Sequence, residues 1–135
     1  MSNDPIEHIV NSGRLLACLV RSEFVPNRTT FVTTPDVTQQ VGFIVYGAGE
    51  EIGRHRHRPV CREIEGTGEV LVVRSGRCLI DLYDEHGVVV ASRELRVGDV
   101  LIMISGGHGF RMLDDTVLLE VKQGPYVGID EKERF

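Results

Sequence analysis

A chain of 135 residues with 41% hydrophobic content can build one ordinary domain with its own core, and its formal net charge of −5 argues against a nucleic-acid binder, which needs a basic face for phosphate. Aromatics make up 6% and tryptophan is absent, so valine, leucine and isoleucine must fill the interior. The 15 glycines imply many turns, which suits short strands better than long helices.

Asp4-Pro5 opens a short helical turn expected to run through Ile9, and Asn11-Ser12-Gly13 is a turn signal. Strands are expected at 14–24 (RLLACLVRSEF), 31–34 and 40–46 (QVGFIVY), with breaks at Pro26-Asn27 and Thr34-Pro35-Asp36. The second half is more regular. Expected strands run over 69–74, 77–83, 88–94, 100–104, 108–113 and 116–123, and Gly124-Pro125 ends the series. This pattern predicts an all-β sandwich or barrel. Residues 1–39 are expected to supply N-terminal strands packing on a core of 40–124, followed by a tail at 125–135, all in one domain.

The N-terminus MSNDPIEHIVNSG has neither a basic region nor a long apolar one, and no apolar stretch approaches membrane-spanning length. Cys18, Cys61 and Cys78 show no paired spacing, so a reducing, cytoplasmic setting without membrane or nucleic-acid partners is expected. Cys18 and Cys78 read as core residues, and Cys61 as an inert loop thiol.

Chemistry concentrates in GRHRHRPVCREIEGTGEVLVVRSG, residues 53–76. On a strand, positions i and i+2 share a face. His55 and His57 would then face one way, while Arg54, Arg56 and Arg58 face solvent or an anionic partner. Glu69 heads the next strand and shares a face with Leu71 and Val73; His108 heads another and shares a face with Phe110 and Met112. Three imidazoles and one carboxylate at strand heads could converge at one mouth. Glu120 and Lys122 lie opposite Val117, Leu119 and Val121. They form an exposed ion pair if the apolar face is core, or line a pocket if it is not. Gln40 and Tyr46 are further pocket candidates, and His8 and His86 read as solvated.

These motifs resemble the cupin superfamily over residues 40–124. Gly49 followed by His55-Arg56-His57, then Glu69 and Gly76, fits the first cupin motif, with PVCREIEGT reading as an inserted loop. That loop contains Glu63, a rival to Glu69 for the carboxylate role. Gly98-Asp99 through Gly106 fits the second motif, with Ile104 in the proline place, His108 one residue early and Met112 where asparagine is usual. The resemblance implies a double-stranded β-helix, or jelly-roll barrel. It also implies one divalent metal (Zn, Fe, Mn, Ni or Cu) on His55, His57, Glu69 and His108, with Glu63, Gln40, Phe110 and Lys122 as pocket candidates.

The tail VKQGPYVGIDEKERF with SGGHGF resembles a cupin subgroup associated with surface-polysaccharide or sugar metabolism. The leading expectation is a metal-dependent enzyme acting on a small oxygen-bearing metabolite such as a sugar. The alternatives are a metal-free sugar-nucleotide isomerase or epimerase using the histidine pair as acid and base, and a non-catalytic small-molecule binder. A homodimer is expected, because Val70 and Val72 read as an outward apolar face.

Overall fold

The computed structural model of the protein describes residues 3–128 and 131–135, and it forms ten strands with no α-helix among them. Strand β1 (Ile6–Asn11) replaces the expected helical turn. It pairs antiparallel with β2 (Arg14–Val20) across a two-residue turn in which Ser12 and Gly13 have φ of 50° and 75°. Two successive positive-φ residues match the right-handed twist of the strands they join, so the turn propagates pairing back into 6–11 and overrides the helix-start signal.

Residues 30–31 (β3) and 42–43 (β4) make only a two-residue ladder, in place of a long strand over 40–46. Strands β5 (Glu69–Ser75), β6 (Arg77–Tyr83), β7 (Val89–Arg96), β8 (Val100–Met103), β9 (Gly107–Met112) and β10 (Val117–Lys122) follow the expected positions to within one or two residues.

The strands assemble into a five-stranded sheet of order β1-β2-β8-β5-β10, a three-stranded sheet β7-β6-β9 and the small β3-β4 ladder. The two larger sheets face each other across one core. Ala17, Leu19, Leu71, Val73 and Leu101 on one side meet Cys78, Ile80, Leu82 and Leu95 on the other. The alternation of β6, with Cys78, Ile80 and Leu82 buried, is what lets a single strand serve a core on one side and solvent on the other. A second cluster covers the opposite face of the five-stranded sheet, where Cys18, Val20, Val70 and Ile102 lie under Phe24, Val32, Val41 and Phe43. Val70 is therefore covered by the chain's own 24–43 segment, which corrects its reading as an outward apolar residue. Cys18 and Cys78 are core residues, and burial pushes the Cys18 thiol up to about 11.

Both larger sheets stay open among the described residues. The fold is all-β with facing antiparallel sheets, not a closed barrel. Residues 44–68 contribute no strand. His55 and His57 sit there on an exposed segment without regular secondary structure, which corrects the strand expected around them. Among the described residues no helix is long and apolar enough to cross a membrane.

Candidate functional site

Glu69 is the first residue of β5 and Lys122 the last of β10, and the antiparallel register sets them directly opposite each other. The pairing brings Lys122 Nζ to 3.3 Å from Glu69 Oε1 and 3.4 Å from Glu120 Oε2. His108, near the start of β9, reaches across from the other sheet, and its Nε2 lies 3.2 Å from Glu69 Oε2. One carboxylate whose side chain is only 10% exposed is thus shared between an imidazole and an ammonium, at one end of the sandwich.

Burial of Glu69 follows from strand alternation, because it occupies the same face as core residues Leu71 and Val73. A carboxylate on that face needs partners, and His108 and Lys122 supply them. The carboxylates beside Lys122, Glu69 foremost and then Glu120, hold its ammonium above the ordinary lysine range. Lys122 is therefore a fixed cation at neutral pH. The His108 ring meets Glu69 through Nε2, so Nδ1 is the ring nitrogen left out of that contact.

The cleft around this cluster is lined by Gly66, Thr67, Tyr83, Gly107, Gly109 and Phe135. Gly107 and Gly109 flank His108, and their missing side chains let the Phe135 and Tyr83 rings come close on that side. A Cβ at Gly107 would stand 2.8 Å from the Phe135 ring, which packs edge-on against Tyr83 at 5.2 Å. Tyr83 and Phe135 were not among the expected site residues. The Gly-His-Gly run was the available signal, since two glycines around one imidazole mark space kept open.

The remaining candidates divide. Phe110 packs on the core beside His108, with ring centroids 5.8 Å apart. Gln40 closes its own turn: its Nε2 donates to the Thr34 and Val37 carbonyls at 2.8 and 2.6 Å. Glu63 and Tyr46 are exposed on the 44–68 segment. His55 and His57 stay close to each other, with rings 5.3 Å apart, and His55 Nδ1 lies 2.8 Å from the Gly53 carbonyl. Of the four side chains expected to bind a metal, Glu69 and His108 meet. Among the described residues of the single chain, no three His, Cys, Asp or Glu side chains group to hold an ion. As placed in one chain, His55 and His57 lie on the exposed 44–68 segment while Glu69 and His108 meet, and the Lys122 ammonium stands on one side of the Glu69 carboxylate. Of the Glu120–Lys122 alternatives, the structure takes the second: the apolar face of β10 is exposed and Lys122 turns inward.

No family model, no curated protein and no solved structure matches this chain.

Proposed function

We propose that this chain is a cupin-like, jelly-roll-type sandwich that binds a small oxygen-bearing metabolite in the Glu69–His108–Lys122 cleft and moves a proton on it. One observation carries the reading: a largely buried carboxylate bridges an imidazole and a fixed cation at the floor of an open cleft. A catalytic dyad of this kind holds the imidazole in one tautomer and stabilises it once protonated. His108 Nδ1 takes the proton from a carbon or hydroxyl of the substrate. Glu69 orients the ring and balances the imidazolium, and Lys122 faces the oxygen on which negative charge develops. Sugar phosphates, sugar nucleotides and keto acids carry such acidic protons beside an oxygen.

The test is a panel of these compounds assayed in D2O, read by thermal stabilisation and by mass increase of the recovered ligand. Binding with deuterium uptake is expected for the native protein, with uptake lost in His108→Gln and Glu69→Gln. Binding without uptake would support the non-catalytic reading, and unchanged uptake in both variants would overturn the dyad.

A second reading, the metal-dependent enzyme, is favoured by the close pairing of the His55 and His57 rings. If 44–68 moves onto the sandwich, His55, His57, Glu69 and His108 would hold one divalent ion that supplies Lewis acidity. About one equivalent of Fe, Mn, Ni, Zn or Cu in native protein, absent from a His55→Ala/His57→Ala variant, is the result expected on that reading.

A further inference from the structure

The cleft has one wall that does not belong to the sandwich. Residues 131–135 lie beyond β10 and come back to line the cleft together with Tyr83, Gly107 and His108. The Glu131 amide donates to the Gly128 carbonyl at 3.3 Å, and residues 132–135 belong to no strand. Charge does not hold this segment. Glu131 and Glu133 balance Lys132 and Arg134, and among the described residues none of the four enters an ion pair.

What seats the segment is the Phe135 ring. It stands edge-on to Tyr83, with centroids 5.2 Å apart and planes at 86°, an arrangement that aromatic pairs favour. It also lies over two glycines. A Cβ at Gly87 would come to 3.3 Å from the ring, and one at Gly107 to 2.8 Å. The two glycines differ in kind. Gly87 has φ of 74°, which its turn requires, whereas Gly107 sits in β9 without a positive φ. Backbone conformation therefore does not call for glycine at 107. The close approach of the ring does.

The seat is shallow. Phe135 is 77% exposed, so one side of the ring is held and the rest stays in water. A contact that buries so little, on a segment outside any ladder, opens locally without disturbing the sandwich.

We propose that residues 131–135 are a lid on the cleft and that Phe135 is its latch. With the ring on Gly107 and Tyr83 the cleft is narrowed beside His108; with the ring released the imidazole is uncovered. Phe135 is thus a positioning residue that governs access, and it does not touch the reacting atoms. The inference rests on the cleft being the binding site proposed above, but not on the proton transfer proposed within it.

Two measurements on the full chain test it. Proton NMR should show contacts from the Phe135 ring to the Gly107 α-protons and the Tyr83 ring. Carbethoxylation of imidazoles by diethyl pyrocarbonate, followed by peptide mass, then reads access to His108 against His8, which is exposed on β1 at a distance from the lid. Phe135→Ala removes the latch, and Gly107→Ala fills its seat while leaving the ring intact. Each should raise the His108-to-His8 rate ratio by about twofold or more, with far-UV circular dichroism unchanged, because labelling follows the open population. Absence of the ring contacts in native protein overturns the proposal, as does an unchanged ratio in either variant. Neither readout involves deuterium uptake by a ligand, so the lid can fail while the dyad stands, and the reverse.

Discussion

At the scale of single residues, two carboxylates organise the molecule. Glu69 assembles the cleft, and Asp99 holds together the turn before β8. Asp99 is 3% exposed; its oxygens accept from Arg21 Nη1 at 2.9 Å, the Ser22 amide at 3.0 Å and the Arg96 amide at 2.9 Å. Asp99→Ala strands three donors and is expected to cost about 2–4 kcal/mol in urea denaturation, whereas Asp99→Asn keeps one acceptor oxygen, enough for the Arg21 and Arg96 donors that share Oδ2, and costs less. Lys122 makes a pH-dependent contribution of known sign. Its folded pKa lies above the unfolded value, so its stabilisation is complete below the unfolded lysine range and is lost as pH rises through the folded value. Native protein should therefore lose stability on the alkaline side relative to Lys122→Met, whose midpoint in thermal melts should vary less across that range. Equal alkaline slopes would remove the Glu69–Lys122 pair from the stability account. The heads of strands β5 and β9 were readable from strand alternation, which is why Glu69 and His108 were expected to meet. The identity of the third partner was not. Lys122 could face either way until the exposure of Val117, Leu119 and Val121 showed which face of β10 is inward.

Among the elements, the best-read were strands bounded by glycine turns, and the least-read were those whose order depends on distant contacts. Turns at Gly76, Gly87, Gly98 and Gly106 all have positive φ, and each marks a strand end recognised in advance. Gly106 shows why the residue type is needed: its φ is 75°, and a Cβ there would stand 2.3 Å from the Tyr83 carbonyl oxygen. Gly106→Ala is expected to destabilise by about 2–3 kcal/mol, combining left-handed backbone strain with displacement of the β6 end. The first hairpin offers the opposite test. Ser12 holds φ of 50° without being glycine, and the sequence Asn-Gly suits this turn better than Ser-Gly. Ser12→Asn should stabilise by about 0.5–1 kcal/mol in the same denaturation assay, and a loss of stability would refute the assigned turn. By contrast, 40–46 and 53–58 have strand-like composition and alternation, but the first keeps only the two-residue β4 and the second forms no strand. Alternation reports which side chains could share a face, while a ladder requires a neighbouring edge, and in the single chain none reaches Arg54 to Arg58.

Across the whole molecule, the all-β class followed from composition and turn spacing, but the openness of the sandwich did not, because residues 44–68 join no ladder among the described residues despite their strand-like alternation. What holds the two sheets together on the far flank is visible in the side chains. Glu7 on β1 and Arg93 on β7 come from different sheets, and Arg93 Nε lies 3.1 Å from each Glu7 oxygen. The Arg93 hydrogen bond, foremost, holds the Glu7 carboxyl below the usual glutamate range. A depressed folded pKa means stability that is present above the unfolded value, about 4.3, and lost as pH falls through the folded one. Because Glu7 is about a third exposed, solvent screening keeps the effect to about 1 kcal/mol or less. The native protein should therefore lose stability between about pH 5 and pH 3 more steeply than Glu7→Gln, with the two curves converging at the acid end as the native carboxyl becomes neutral. Hydrogen exchange under the same conditions locates the effect. Opening is expected first at β1 and β7, where the strap joins the sheets, while the amides of β5 and β8 in the middle of the five-stranded sheet keep their protection. Uniform loss of protection across both sheets would mean that the sandwich opens as one unit and that the strap has no separate role.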